Sequence, residues 1–161
     1  MHQNTPFLPM EERVKTVSMT DLVPLFQERL EAGQNVRFAP RGISMLPMLR
    51  PGLDTVVLSP APKQLQKYDL PLYRRDDGHY VLHRVIRVGE TYTCIGDNQF
   101  TPEPGIRRDQ VIALVTAFRR NGRDHSVRQP GYRLYCRFWH HSRSVRHFLR
   151  RALNWLRRHL K

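Results

Sequence analysis

The run Arg41-Gly42-Ile43-Ser44-Met45-Leu46-Pro47 places one serine hydroxyl between a glycine and a proline. It lies within residues 36–58, and strand-forming residues stand on both sides of it. Gly42 permits the close approach of another peptide, and Pro47 bends the chain just after the serine. A serine in such a turn is ordinarily only a turn residue. A catalytic Ser44 needs a base nearby and donors for the oxyanion, for which its own backbone N–H is a candidate.

The residues around this turn have a hydrophobic period close to two, with turn residues about every 8–12 positions. The pattern predicts strands at 35–39, 54–59, 69–74, 79–88, 91–95 and 110–119. Asp76-Asp77-Gly78 and Val88-Gly89-Glu90 predict hairpin turns between two pairs of them. Short strands at this spacing predict a mainly β fold, namely a small, coiled, antiparallel β-domain.

Helical patterns flank this β-domain on both sides. Thr20 is the predicted N-cap of a first helix, with Pro24 in its first turn and Gly33 after its end. The apolar stripe of this helix consists of Leu22, Val23, Phe26 and Leu30. The chain therefore divides into an N-terminal segment and helix (1–34), a β-domain (35–120), a linker (121–130) and a basic amphipathic helix (131–161).

The C-terminal helix is predicted from one apolar arc at about 100° per residue. Its members are Leu134, Phe138, Val145, Leu149, Ala152, Leu153, Leu156 and Leu160. Arginines occupy the other side of the helix, and Trp139 and Trp155 lie near the boundary. The arc fits either an anionic membrane surface or packing on protein, and both alternatives stay open here.

Positive charge is concentrated in the same C-terminal segment. The 161-residue chain has a formal net charge of +13. Residues 125–161 hold nine Arg, one Lys and no acidic residue, which gives +10. Residues 1–124 hold 17 basic and 14 acidic residues, which gives +3. A basic tail on a nearly balanced body indicates an anionic partner, either lipid headgroups or nucleic acid.

Several classes of protein do not fit the sequence. It has no run of about 18 apolar residues, so no transmembrane helix is expected. Its first residues lack the basic and apolar regions of a signal peptide, which favours a cytoplasmic location. Cys94 and Cys136 lie far apart in no metal-like spacing, which is typical of reduced, buried thiols. We expect neither a metal nor another cofactor.

The run Tyr80–Ile86 contains a candidate base for Ser44. In an alternating strand Val81, His83 and Val85 share one face. A half-buried imidazole among valines is favoured in its neutral form, which accepts a proton. The alternative is a core histidine whose hydrogen bond is made to the backbone.

Carboxylates that could orient a histidine follow the next predicted strand. Gly96-Asp97-Asn98 comes directly after that strand, and Glu103 lies six residues beyond Asp97. A Gly-Asp-Asn sequence is a plain turn in most proteins. From the residues alone, either carboxylate is a candidate.

Together, Gly42–Pro47, His83-Arg84-Val85 and Gly96-Asp97-Asn98 resemble the signature of the signal peptidase and LexA-like serine peptidase superfamily. The resemblance covers residues 36–118. Many members of that superfamily use a lysine base, but the lysines of this chain fall outside a matching strand: Lys15, Lys63, Lys67 and Lys161. The chain therefore resembles the histidine-type branch.

The resemblance implies a role for each matched residue. Ser44 would be the nucleophile, and His83 would be the general base and then the general acid. Gly42 and Met45 would contribute to the substrate pocket for a small side chain before the cut. The third catalytic residue would be Asp97 or Glu103, and Glu103 stands where the branch usually has Asp.

Two functions from different classes follow from these patterns. The first is a serine endopeptidase of signal-peptidase type, held peripherally on the cytoplasmic side of a membrane by residues 131–161. It would cleave a peptide or precursor after a small residue. The second is a catalytically silent, peptidase-like binding module whose basic tail binds nucleic acid or another acidic partner.

Overall fold

The computed structural model describes residues 18–159, and this part of the chain is mainly β, as predicted. The helices are α1 (Met19–Glu31), α2 (Pro130–His141) and α3 (Arg143–His159). The strands are β1 (Val36–Phe38), β2 (Thr55–Pro60), β3 (Pro71–Arg74), β4 (Tyr80–Leu82), β5 (Arg84–Val88), β6 (Tyr92–Ile95), β7 (Glu103–Ile106), β8 (Val111–Arg120) and β9 (Arg123–Ser126). A short 3-10 helix covers Arg108–Gln110.

The strands form two antiparallel sheets. The larger sheet has the order β1-β2-β8-β3-β4, and β9 also pairs with β8. The smaller sheet has the order β5-β6-β7. The ten-residue β8 is central to the larger sheet, because β2, β3 and β9 all pair with it. Both predicted hairpin turns are present, one between β3 and β4 and one between β5 and β6.

The passage from the larger to the smaller sheet occurs at His83. One strand over 79–88 was predicted, but the structure has β4 and β5 with His83 between them. The predicted alternation of faces is therefore wrong, since Leu82, His83, Arg84 and Val85 are all buried. The physical reason is that the chain changes sheets here, so consecutive side chains face different parts of the core. His83 is thereby fixed at the joint between the sheets.

Helix α1 packs on the larger sheet through the predicted stripe. Val23, Phe26 and Leu30 are buried, and Phe26 contacts the ring of Phe38 at a centroid distance of 5.5 Å. The helix begins earlier than predicted because Ser18, not Thr20, is the N-cap. Its Oγ accepts a hydrogen bond from the N–H of Thr20 at 3.2 Å. Pro24 consequently lies beyond the first turn.

Two strands were not predicted. Strand β7 contains Pro104 and Gly105, which favour a turn in sequence, and the β6–β7 ladder accommodates them with an irregular register. Strand β9 lies inside the predicted linker 121–130 and pairs with the end of β8 after a turn at Asn121-Gly122. The β-domain therefore extends to Ser126.

The predicted C-terminal helix is two helices separated at Ser142. The N–H of Ser142 donates to Phe138 C=O, and its own C=O accepts from Arg146 N–H, both at 2.9 Å. Between Ser18 and His159, no helix is both long and apolar enough to cross a bilayer. Residues 1–17 of the predicted N-terminal segment and Leu160 of the apolar arc lie outside the described residues.

Candidate active site

Buried neighbouring residues anchor the turn that carries Ser44 in the core. Met45, Met48 and Leu49 belong to the core, and the N–H of Leu49 donates to the C=O of Met45 at 3.0 Å. These contacts leave Ser44 half-buried at the edge of a cavity of about 360 Å³. Gly42 and Met45 line the same cavity. The structure therefore brings together the three residues predicted from this turn.

The Gly96-Asp97-Asn98 turn packs directly against the serine. The N–H of Asn98 donates to the C=O of Ser44 at 2.8 Å, and its side-chain amide donates to Ile43 C=O at 3.3 Å. A Cβ at position 96 would lie 2.6 Å from the Ser44 carbonyl oxygen and 3.0 Å from the Ser44 Cβ. Only glycine fits such a close approach. Two of the three motifs thus form one structural unit.

His83 lines the same cavity as Ser44. Its side chain is only 3% exposed. Its Nδ1 atom is 3.3 Å from the hydroxyl oxygen of Tyr73 and 3.5 Å from Oε2 of Glu103. Within residues 18–159, no hydrogen bond joins His83 to the Ser44 hydroxyl. Catalytic hydrogen bonds are often long in free enzymes and shorten when substrate binds.

Glu103 is the carboxylate beside His83. It is the first residue of β7 and pairs with Cys94 of β6. Arg75 binds it with two hydrogen bonds of 2.6 Å, and the hydroxyl of Tyr73 donates to it at 2.8 Å. Burial by itself would raise the pKa of Glu103, but the hydrogen bonds from Arg75 and Tyr73 outweigh it and lower that pKa. Glu103 is therefore ionised at neutral pH.

The environment of His83 favours a neutral imidazole. Burial lowers its pKa from the ordinary value of 6.5 to about 4. The charge of Glu103 acts in the opposite direction, while the guanidinium of Arg75 lowers the pKa further. Desolvation wins because the ring is almost completely enclosed. His83 is consequently a deprotonated base over the whole range from weakly acidic to neutral pH.

Asp97 lies in a different environment from Glu103. Arg84 binds both of its carboxylate oxygens at 2.8 Å, and both side chains are 2% exposed. The hydroxyl of Tyr135 donates a further hydrogen bond to Asp97 at 3.0 Å. Of the two carboxylates predicted as alternatives, the geometry therefore favours Glu103 as the partner of His83, and Asp97 is engaged by Arg84.

Arg84 and Asp97 also tie helix α2 to the site. The remaining N–H groups of Arg84 point to Tyr68, Met48 and two α2 residues, Tyr132 and Cys136. The indole N–H of Trp139 donates to the Asp97 C=O at 2.8 Å. Cys136 is a free, buried thiol, as is Cys94. The inner face of α2 thereby supports the turn that contacts Ser44.

Two residues of the site, Tyr73 and Arg75, were not predicted from sequence patterns. Both lie on or just after β3, and the β3–β4 register places Tyr73 opposite Val81. Their contribution depends on this strand pairing, which single-sequence patterns do not reveal. The side chain of Met19, from the start of α1, also lines the cavity and was not predicted to do so.

Comparison of the chain with family models, curated proteins and solved structures finds no match. Among the described residues, no group of three or more His, Cys, Asp or Glu side chains is arranged to hold a metal ion. The function is therefore inferred from the residues and geometry of the cavity.

Proposed function

We propose that this chain is a serine endopeptidase of the signal-peptidase type, with Ser44 as nucleophile and His83 as general base. The observation that carries the proposal is that Ser44 and His83 line one cavity. An ionised carboxylate, Glu103, lies 3.5 Å from Nδ1 of the histidine. A nucleophile, a base and a group that orients the base are the parts that acyl transfer requires.

The reaction follows from these positions. Nε2 of His83 accepts the proton of the Ser44 hydroxyl as Oγ attacks the peptide carbonyl carbon. The resulting oxyanion is stabilised by the Ser44 backbone N–H, which makes no other hydrogen bond within residues 18–159. The imidazolium then gives its proton to the leaving amine, so an acyl-enzyme and a free amine form. Water hydrolyses the acyl-enzyme with His83 again as base.

The cavity suits an extended peptide with apolar side chains. Its walls include Met45, Leu72 and Leu82, with Arg75 at the polar end beside His83. Strand β4 borders the cavity and is an end strand of the larger sheet as described. The backbone of a substrate can pair with such an edge while alternate side chains enter the cavity. We propose a small residue immediately before the cut, bounded by Gly42 and Met45.

The test is cleavage of a complex peptide mixture, with products identified by mass spectrometry. Ser44→Ala and His83→Ala should each lower the cleavage rate by about 10⁴-fold or more. Matched controls are Ser144→Ala and His79→Ala, which alter exposed residues outside the cavity and should cleave at the wild-type rate. Full activity in either site variant contradicts the proposal, as does the absence of any product from the wild type.

Helices α2 and α3 expose large apolar side chains. The inner face of α2 packs on the β-domain, whereas its Leu134 and Phe138 are 69% and 67% exposed. No residue of α3 is buried. Its large apolar side chains are exposed, namely Val145, Phe148, Leu149, Leu153, Trp155 and Leu156. The apolar arc predicted from the sequence therefore does not pack on the described part of this chain.

We propose that α2 and α3 lie on an anionic membrane surface, on its cytoplasmic side, and hold the peptidase there. Each basic residue near such a surface contributes about 1 kcal/mol, and each inserted Leu or Phe contributes about 1.5–3 kcal/mol before ordering costs. Nucleic acid would satisfy the arginines but leave the apolar arc in water. The exposed arc is thus the observation that favours lipid.

Flotation with vesicles of neutral lipid alone or with anionic lipid added tests this attachment. Wild type should float with anionic vesicles, and Phe148→Ser/Leu149→Ser should lose most of that binding. The control Leu25→Ser/Leu53→Ser changes two exposed side chains elsewhere and should float normally. A wild type that does not float with anionic vesicles but binds DNA at the same salt concentration would contradict lipid as the partner and support the alternative of a nucleic-acid module.

A further inference from the structure

The hydrogen-bond partner of Nδ1 of His83 is a phenol rather than a carboxylate. Tyr73 is completely buried, and its hydroxyl oxygen is 3.3 Å from Nδ1 of His83. Oε2 of Glu103 is farther from the same nitrogen, at 3.5 Å. Arg75 holds both oxygens of Glu103 at 2.6 Å. Arg75 therefore holds the carboxylate in place, and the hydroxyl of Tyr73 links it to the imidazole.

The number of available donors determines the direction of the hydrogen bonds among Tyr73, Glu103 and His83. A phenol has one proton to donate, and Glu103, once ionised, can only accept. The Tyr73 proton therefore goes to Glu103, at 2.8 Å. The phenol oxygen can then interact with Nδ1 only by accepting, so Nδ1 of His83 carries the proton. In a neutral imidazole this leaves Nε2 free to accept a proton from Ser44.

The protonation states that this arrangement needs are supported by the surroundings. Burial raises the pKa of the Tyr73 phenol well above its usual value, so the phenol keeps its proton. Burial also raises the pKa of the neighbouring Cys94 thiol to about 12, which keeps that group neutral. The charged groups that act on His83 are Glu103, Arg75 and, more weakly, Asp97.

We propose that Tyr73 is a positioning residue that sets the tautomer of His83, because its hydroxyl accepts a hydrogen bond from Nδ1–H of His83 and donates its own hydrogen bond to Glu103. The site would then contain four groups linked in series instead of three: Ser44, His83, Tyr73 and Glu103. Because this assignment rests on His83 acting as the base of the proposed peptidase, its test includes a measurement that needs no catalytic activity.

The measurement is long-range ¹H–¹⁵N correlation spectroscopy of histidine-labelled protein at neutral pH. Signals of His83 are assigned by their loss in His83→Gln. The wild type should show Nδ1 protonated and Nε2 unprotonated. Tyr73→Phe should move His83 towards the other tautomer or a mixture. The matched control is Tyr92→Phe, a second buried tyrosine of the same core cluster, whose hydroxyl accepts from Leu65 N–H, away from His83.

Reactivity towards a fluorophosphonate probe gives the second readout. Tyr73→Phe should label at least tenfold more slowly than wild type, whereas Tyr92→Phe should stay within about twofold. A wild-type His83 protonated at Nε2 overturns the inference without any variant, and so does an unchanged tautomer in Tyr73→Phe. If the wild type shows the expected tautomer but never labels, the positioning role of Tyr73 stands and the proposed peptidase function fails.

Discussion

Asp97 and Glu103 are both acidic residues bound by an arginine, yet they occupy different places in the molecule. The Arg84–Asp97 pair is closed from solvent, with both side chains 2% exposed. The Arg75–Glu103 pair is more open, at 35% and 23% exposure, and faces His83. The same ion-pair chemistry thus supports the fold at one site and the candidate base at the other. Depth of burial, not residue type, separates the two roles.

The largest expected effect on stability comes from breaking the buried Arg84–Asp97 ion pair. Asp97→Asn leaves the charge of Arg84 buried without a carboxylate, so we expect a loss of about 3–5 kcal/mol in the free energy of unfolding. Urea unfolding measures it. Glu103→Gln is the comparison, and its partly exposed pair should cost about 1 kcal/mol or less. Equal losses in the two variants would show that burial does not distinguish the pairs.

The pH dependence of the site tests the role of Arg75 at the open pair. With a pKa of about 4, His83 should keep the fluorophosphonate labelling rate constant as pH falls from neutral, with the decline centred near pH 4. Arg75→Gln removes a nearby positive charge and frees Glu103. The midpoint should therefore move to higher pH. A wild-type midpoint near 6.5, or no movement in the variant, would contradict this account of His83.

The same shift has a consequence for stability. Because the folded pKa of His83 lies below the unfolded value, the unfolded chain binds the proton first as pH falls. His83 therefore reduces the stability of the native state progressively from about pH 6.5 to about pH 4. Unfolding of the wild type and of His83→Gln across this range isolates the contribution, which should be missing in the variant.

A smaller effect is expected from Glu103→Gln on reactivity. Removing the negative charge at the end of the Tyr73–His83 chain should slow labelling of Ser44 by about 10- to 100-fold, the size of effect known for groups that orient metal-binding histidines. The stability of the variant should change little. An unaltered labelling rate would remove Glu103 from the site and leave it as an ion-pair partner of Arg75.

The smallest expected effect on stability comes from the hydrogen bond that links the Arg84–Asp97 pair to helix α2. Trp139→Phe keeps the ring but removes the N–H that donates to Asp97 C=O, and we expect a loss of about 1 kcal/mol in unfolding free energy. Trp155→Phe is the control, because that side chain is 58% exposed. Indistinguishable stabilities of the two variants would mean that the indole hydrogen bond contributes nothing measurable.

Sequence patterns predict much of this fold but little of its local detail. Strand periodicity locates β1, β2, β3, β6 and β8, and the stripe of α1 is confirmed. The break at His83 could not be predicted, because an apolar run has the same sequence pattern whether the strand stays in one sheet or crosses to another. Strands β7 and β9 were missed since their residues favour turns or solvent.

The candidate site divides in the same way. The motifs around Ser44, His83 and Gly96 predict which residues converge, and the structure places them around one cavity. The choice between Asp97 and Glu103 depends on which arginine reaches which carboxylate. That is decided by long-range strand pairing, as is the position of Tyr73. No local pattern carries this information.

Active-site labelling tests whether Ser44 is a nucleophile that His83 activates. Wild type, Ser44→Ala and His83→Gln are treated with a fluorophosphonate probe, and the adduct is located by mass spectrometry. We expect one adduct on Ser44 in the wild type, none in Ser44→Ala and strongly slowed labelling in His83→Gln. Labelling that persists in Ser44→Ala, or a wild type that does not react at Ser44, would contradict this role of Ser44.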